Sequence, residues 1–142
     1  MGLDGIFVIG YGNELRGDDG AGRQAARRLR EHGIEALETH QLAPELAEQI
    51  RSARAVFFLD AGANLAPGEV AINPVNDGKS AMDHYATPGA LLRLAREAYG
   101  ARPDAWLVSL GGASFDVGGA LSDAAWRAIT KSVQIVLERA VS

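Results

Sequence analysis

Short apolar runs that alternate with helical patterns constrain the fold of this chain more than any other feature of its sequence. Residues 6–9 (IFVI) and 55–59 (AVFFL) are continuous apolar runs, which are typical of central parallel strands buried on both faces. Between them, apolar residues recur at helical spacing from Ala21 to Leu29. Because parallel strands are joined by helical crossovers, the alternation predicts an α/β fold, with helices on both faces of a mostly parallel sheet.

The connections between five predicted strands indicate how the sheet is ordered. Three further strands are predicted at residues 34–39, 69–72 and 106–110. The third and fourth strands are joined by residues 61–68 alone, a connection too short for a helical crossover. We therefore expect the fourth strand to lie antiparallel at an edge, and right-handed crossovers then predict the order 2-1-3-5-4. Residues 1–142 are expected to form a single domain.

Polar residues and glycines predict where the helices begin and end. Asp18 or Asp19 is expected to cap the first helix, Gly33 to end it, and Ser122 to cap the last helix. A further helix should begin at Thr87. On the helix that begins at Thr87 we expect one side to carry Leu91, Leu92, Ala95 and Tyr99. On the last helix we expect a buried stripe made of Trp126, Ile129, Val133, Val136 and Ala140.

Composition excludes several classes of function. The chain has no cysteine, so a thiol nucleophile, a disulfide framework and a thiolate zinc site are excluded. Its net charge of -4 argues against nucleic acid as a partner. No apolar run is long enough to span a membrane, and no targeting segment opens the chain. We expect a cytoplasmic protein, a monomer, with no membrane partner.

Candidate site residues gather where the predicted sheet reverses its winding, between the first and third strands. Asp18 and Asp19 follow the first strand, Asp60 ends the third, and His84 lies in the loop after the fourth. Ligands bind in such crevices, and carboxylates with an imidazole suit nickel, zinc, copper or iron. Simpler interpretations stay open, because the aspartates could be helix caps or accept backbone hydrogen bonds, and a lone histidine in a polar loop is usually solvated.

A dinucleotide site is the first alternative to a metal site. Gly10 and Gly12 follow a strand, but Leu15 stands where the third glycine of the dinucleotide fingerprint belongs. The acids near the helix start would also repel a pyrophosphate, although Glu38 is placed to reach a ribose. The chain contains no G-x-S-x-G elbow of a serine hydrolase.

The motifs together resemble those of the hydrogenase maturation proteases. The opening motif reads Gly10-x-Gly12-Asn13-x-Leu15-x-x-Asp18-Asp19-Gly20-x-Gly22. Residues 58–61 (FLDA) resemble the second acidic position of that family, His84 its metal-binding histidine, and residues 112–115 (GASF) with 119–122 (GALS) the stretch before its last helix. The resemblance covers nearly the whole chain.

The resemblance implies an endopeptidase that removes the C-terminal extension of a nickel–iron hydrogenase large subunit after nickel insertion. It implies that Asp19, Asp60 and His84 bind nickel, that the substrate carries this nickel, and that Asp19 and Asp60 are catalytic. Substrate contacts are expected at Gly10, Gly12, Asn13, Asp18, Gly111 and Gly112. This chain departs from the family at residue 19, which is Glu in some relatives, and at residues 39–42 (THQL), where other members carry a glycine-rich stretch.

Two questions about function stay open at the level of sequence. The metal could polarise the scissile carbonyl or generate hydroxide, or Asp19 or Asp60 could act as a general base on water. The alternatives to a protease are a Rossmann-like nucleotide-binding protein and a non-catalytic metal-binding chaperone for hydrogenase maturation.

Overall fold

The fold is built on a five-stranded sheet. A computed structural model describes residues 3–62, 64–77 and 87–141. The strands are β1 Ile6–Tyr11, β2 Glu35–Thr39, β3 Ala55–Gly62, β4 Val70–Pro74 and β5 Asp104–Gly111. Their order is β2-β1-β3-β5-β4, and all neighbouring strands run parallel except β4, which pairs antiparallel with β5 at the edge. The predicted fold class and strand order are confirmed.

Helices cover both faces of this sheet. They are α1 Ala21–Glu31, α2 Leu46–Gln49, α3 Pro88–Tyr99 and α4 Asp123–Ala140. One apolar core lies under α1 and α4 and the other under α2 and α3. Successive strand residues enter opposite cores, so Val8 lies in the first and Ile9 in the second. This double burial explains why the strand sequences are continuously apolar.

Both central strands extend further than their apolar runs. β1 continues through Gly10 to Tyr11, which pairs with Thr39 of β2. β3 continues through Asp60 to Gly62, which pairs with Gly111 of β5. In these extensions the pairing of β1 with β2 and of β3 with β5 continues. Asp60 is therefore held within a strand.

Two of the predicted helix caps are confirmed. The Thr87 hydroxyl accepts a hydrogen bond from the backbone N–H of Ala90 (3.2 Å), which begins α3. The Ser122 hydroxyl accepts one from the N–H of Ala125 (3.1 Å), which begins α4. Gly33, with φ of 87°, follows α1 as expected.

The expectation that Asp18 or Asp19 caps α1 is wrong. Both lie in a 3₁₀ turn, Gly17–Gly20, that precedes the helix, and the N-cap residue Gly20 has no side chain to offer. The two aspartates accept hydrogen bonds from other parts of the chain instead. Their carboxylates are thus available for roles outside α1.

Trp126 is not buried as predicted, and Tyr99, on the side of α3 that carries the apolar residues, is exposed as well. Their exposed fractions are 37% and 45%. The Arg51 guanidinium lies 5.7 Å from the Tyr99 ring centroid, and that of Arg28 lies 5.1 Å from the Trp126 ring centroid. Aromatic residues at the border of an apolar stripe are thus covered by arginine side chains rather than by the core.

Glycines bring α1 unusually close to the sheet. A Cβ atom at Gly10 of β1 would overlap the carbonyl oxygen of Gly22 in α1. A Cβ atom at Gly22 would in turn overlap the carbonyl oxygen of Leu59 in β3. The close approach fixes the start of α1, and the turn before it, against the carboxyl ends of β1 and β3. Within the described residues, no helix is long and apolar enough to cross a membrane.

Candidate functional site

The candidate site lies at the carboxyl ends of β1 and β3, where the winding of the sheet reverses. The loop after β1 leads into the 3₁₀ turn that carries Asp19, and Asp60 lies near the end of β3. The two strands are adjacent and parallel, so their ends meet at the same edge. The structure thus brings together two of the three predicted metal ligands, at the position expected for a ligand crevice.

Asp60 is a carboxyl group whose ionisation is opposed by its surroundings. Burial raises the pKa of Asp60 to about 6, and the negative charge of Asp19 adds to the rise. The Ala61 backbone N–H and the Tyr11 hydroxyl donate hydrogen bonds that only partly offset it. A carboxyl group with a pKa in this range gains and loses a proton near neutral pH, as a general acid or base must.

Tyr11 is a site residue that the sequence did not suggest. Its hydroxyl is hydrogen-bonded to Asp60, and burial, followed by the charge of Asp60, raises its pKa above the ordinary value. The register of β1 and β3 places it there: Gly10 pairs with Leu59, and the next residues on the two strands are Tyr11 and Asp60. The hydroxyl therefore remains a donor and orients the carboxyl group of Asp60.

Asp19 is held by the loop in which it lies. Its Oδ2 accepts a hydrogen bond from the backbone N–H of Asn13 (2.7 Å). The Asn13 side chain in turn accepts one from the N–H of Leu15 (2.9 Å), as asparagine side chains commonly do in turns. Asp19 is half-buried, so a ligand can reach its carboxylate.

Asp18 has a different environment from its neighbour. Its side chain is fully buried, with an exposed fraction of 0%. Its Oδ2 accepts hydrogen bonds from the N–H groups of Ala113 (2.7 Å) and Ser114 (3.1 Å) and from the Ser122 hydroxyl (2.6 Å), and its Oδ1 accepts one from the Ser122 N–H (2.8 Å). Burial alone would raise the pKa of Asp18, but these hydrogen bonds hold it below its ordinary value. Asp18 thus offers no exposed surface to a substrate.

The predicted substrate-binding glycines lie at close approaches within the protein. A Cβ atom at Gly12, where φ is 144°, would overlap the carbonyl oxygen of Asp19, and one at Gly111 would overlap that of Ala66. A Cβ atom at Gly112 would lie 2.6 Å from the Cβ of Asp18. These contacts, with that at Gly10, explain the glycines by packing, and their contact with substrate stays a prediction.

The third predicted metal ligand, His84, lies outside the described residues. Within residues 3–62, 64–77 and 87–141 there is no group of three or more histidine, aspartate or glutamate side chains that could hold a metal ion. A complete metal set would need a ligand from His84 or from a substrate in addition to the two carboxylates.

An ion-pair network joins α1 to the loop after β1 and to β2. Arg27 contacts Glu38 at the end of β2 (2.5 Å) and Glu14 in the loop (3.3 Å). Arg23 pairs with Glu14 (3.0 Å), and Arg30 with Glu38 (3.3 Å). The hydrogen bond from Arg27 holds the pKa of Glu38 below its ordinary value, against the effect of burial. Because its carboxylate is already paired with arginines, Glu38 is not free to bind a ribose as the dinucleotide alternative requires.

Two exposed apolar side chains lie on neighbouring loops at the same edge. Leu15 and Val117 have exposed fractions of 72% and 74%. Their loops are joined by a hydrogen bond from the Gly118 N–H to the Leu15 carbonyl (2.8 Å). We call this pair the apolar rim.

A cleft lies away from this edge, and none of the candidate site residues lines it. It has a volume of about 550 Å³ and is lined by residues that include Asn76, Arg102 and Trp106. It adjoins Asp104, the first residue of β5, and thus the amino end of that strand. The Arg96–Asp77 ion pair lies in its wall.

Solved structures with a similar fold are found when the whole chain is compared. The nickel–iron hydrogenase maturation protease HybD from Thermococcus kodakarensis matches with a TM-score of 0.78 and 28% identity, over 95% of this chain and 98% of that protein. This is the fold of the hydrogenase maturation proteases. The hydrogenase maturating endopeptidase HybD from E. coli matches it with a TM-score of 0.77 and 21% identity, over 94% of this chain and 90% of that one. The resemblance to hydrogenase maturation proteases seen in the sequence is confirmed.

A third maturation protease, HycI from Thermococcus kodakarensis, has a TM-score of 0.73 and 22% identity, over 96% of this chain and 91% of that protein. No protein-family model matches the sequence, and no curated protein matches it. At identities below 25% the similarity to the E. coli HybD and to HycI shows the shared fold alone.

Proposed function

We propose that this chain is an endopeptidase that removes the C-terminal extension of a nickel–iron hydrogenase large subunit. The observation that carries the proposal is the pair of carboxylates, Asp19 and Asp60, at the edge of a maturation-protease fold. A half-buried acid with a pKa of about 6 beside a second, accessible acid suits hydrolysis of a peptide bond near neutral pH.

Nickel enters the proposal as part of the substrate. The charge of Asp19 disfavours ionisation of Asp60, so a divalent cation between the two carboxylates would stabilise both in their charged form. Oxygen ligands from two aspartates, together with the imidazole expected from His84, suit nickel, and the remaining ligands would come from the large subunit. A large subunit without nickel would lack this attachment, so cleavage would await metal insertion.

In the proposed reaction, water attacks the scissile carbonyl carbon and the C–N bond breaks. Asp60 in its ionised form accepts a proton from the water and then donates one to the leaving nitrogen, so that a carboxylic acid and an amine are formed. Tyr11 keeps the Asp60 carboxyl group in place, because its hydroxyl is hydrogen-bonded to it. Asp19 binds the nickel that the substrate carries.

The test uses mass spectrometry on a large-subunit precursor, loaded with nickel or free of nickel, before and after incubation with this protein. We expect the loaded precursor to lose a C-terminal peptide and the nickel-free precursor to keep its mass. Equal cleavage of both would contradict recognition through nickel but leave the peptidase standing. Binding of the loaded precursor without a loss of mass would favour the non-catalytic chaperone.

A second measurement addresses the nucleotide alternative. Nickel or cadmium should raise the melting temperature of the isolated protein more than a dinucleotide does, since the acids beside α1 repel phosphate. A larger rise with the dinucleotide would contradict a metal site at this edge.

A further inference from the structure

Asp18 joins two parts of the chain that are distant in sequence and meet beside the candidate site. Its four hydrogen bonds come from residues 113, 114 and 122, which lie 95 to 104 positions further along the chain. It does not cap α1, and its side chain is inaccessible to a substrate. The carboxylate therefore acts through its hydrogen bonds to residues 113, 114 and 122.

The hydrogen bonds of Asp18 fix the peptide that leads to Asp19. Besides its side-chain contacts, Asp18 donates its backbone N–H to the Ser114 carbonyl (2.8 Å). Asp19 donates its own N–H to the Arg16 carbonyl (3.1 Å), within the same turn. The backbone on both sides of the peptide between the two aspartates is therefore held, and so is the direction in which the Asp19 side chain leaves it.

Only a carboxylate fits the place that Asp18 occupies. Three donors point to Oδ2 and one to Oδ1, so both atoms must be acceptors. Asparagine has one acceptor oxygen, and in either orientation its NH₂ group would face at least one N–H donor. A buried donor left without its acceptor is costly, so the turn would shift away from residues 113–122.

We propose that Asp18 is a positioning residue, which holds the turn that carries Asp19 against residues 113–122 and thereby fixes the place of the Asp19 carboxylate. Ser122 is the main partner of Asp18, because both its N–H and its hydroxyl donate hydrogen bonds to the Asp18 carboxylate. The same hydroxyl accepts a hydrogen bond from the Ala125 N–H at the start of α4. The start of α4 is thus tied to the site through one serine. This inference rests on the proposed function, in which Asp19 binds the nickel of the substrate.

The experiment compares Asp18→Asn and Ser122→Ala with the wild-type protein. Cleavage of the nickel-loaded precursor is measured well below the melting temperature and expressed per folded molecule. We expect kcat/KM to fall about 100-fold in Asp18→Asn, since Asp19 binds the nickel of the substrate and a displacement of about 1 Å has effects of that size. Ser122→Ala keeps three of the four donors and should show a smaller loss, which Ser122→Thr should restore.

Amide hydrogen exchange supplies a readout that does not depend on activity. The Asn13 N–H is bonded to the Asp19 carboxylate, so its protection reports whether that carboxylate keeps its place. We expect Asp18→Asn and Ser122→Ala to reduce protection at Asn13 more than protection in the central strands. If the wild-type protein does not cleave the precursor, the proposed function fails, and this measurement alone decides the role of Asp18.

Two control variants separate positioning from stability. Val133→Ala shortens a buried side chain of α4 and should lower the melting temperature while kcat/KM stays unchanged. Asp123→Asn makes the same chemical change as Asp18→Asn at an exposed residue next to Ser122, and should leave kcat/KM unchanged. A folded Asp18→Asn with wild-type kcat/KM or with full protection at Asn13 would overturn the inference. If Asp18→Asn does not fold, Ser122→Ala decides in the same way.

Discussion

Neighbouring aspartates with identical side chains have opposite surroundings in this molecule. Asp18 is buried and its carboxylate accepts hydrogen bonds from residues 113, 114 and 122, whereas Asp19 is half-buried, accepts a hydrogen bond from the Asn13 N–H and lies close enough to Asp60 to affect its ionisation. The chemistry of a residue at this site is set by its neighbours in space.

The carboxylates are the residues to change first. Asp19→Asn and Asp60→Asn keep nearly the same shape but remove the charge that attracts a cation, so each should reduce cleavage of the nickel-loaded precursor by a factor of about 100 or more. His84→Ala should do the same if it completes the ligand set. Combining two of these changes should cost little more than one, because residues that act as a unit are not additive. Full activity in His84→Ala would remove that residue from the site.

The raised pKa of Asp60 predicts how activity depends on pH. A general base must be ionised, so kcat/KM should rise with pH up to about 6 and level off above it. In Asp19→Asn the pKa of Asp60, followed by NMR, should fall, because a negative charge that opposes its ionisation is gone. An unchanged pKa would show that the two groups do not interact.

The same shift predicts an effect on stability. Between an unfolded pKa of 3.8 and a folded pKa of about 6, the folded state binds more protons, so ionisation of Asp60 lowers stability as pH rises. Asp60→Asn should therefore raise the free energy of unfolding by about 1–2 kcal/mol above pH 7 and have little effect near pH 4. Denaturant unfolding at both pH values checks this, and a gain of equal size at both would contradict it.

How far the sequence predicts the site depends on whether the signal is local. Asp60 was identified because it directly follows an apolar strand, and Asp19 because it lies in the loop after a second strand whose end must meet the first. The burial of Asp18 was not predicted, since its donors lie about a hundred residues away, and no local pattern distinguishes it from Asp19. The glycine motif was noticed, but its packing against α1 became visible only in three dimensions.

At the scale of the element, periodicity predicted the strands and helices. It did not predict which residues at the border of an apolar helix face are buried. The buried strands and the order of the sheet follow from apolar runs and connection lengths. Tyr99 and Trp126 fit the helical period of their apolar stripes but lie at the border, where arginine side chains cover them. Periodicity gives the direction of a face and does not give its width.

The contact between α1 and the sheet gives a prediction at this scale. Gly22→Ala places a methyl group against the Leu59 carbonyl, so α1 must move and the free energy of unfolding should fall by about 2 kcal/mol. Gly119→Ala is the matched control, since its added methyl group would make only an ordinary contact, 3.4 Å from the Asp116 carbonyl. Equal stability of the two variants, measured by thermal unfolding, would show that α1 has room to adjust.

At the scale of the whole molecule, the apolar rim lies where a protein substrate would approach the carboxylates. Leu15→Ser and Val117→Ser together should raise KM for the nickel-loaded precursor about tenfold, because apolar area would no longer be buried on binding, and leave kcat unchanged. Val141→Ser, at an equally exposed position next to the end of α4, is the control and should change neither constant. An unaltered KM in the double variant would exclude the rim from substrate binding.

The contacts of Asp18 also determine when in the folding of the chain the site comes into being. Asp19 and Asp60 belong to the first half of the sequence, but the turn that holds Asp19 is fastened by residues 113–122, after β5. Contacts so far apart in sequence form late, since a long stretch of chain must be ordered before they close. A partly folded or truncated molecule therefore carries both carboxylates without a competent arrangement of them, and the proposed protease is inactive until its own fold is complete.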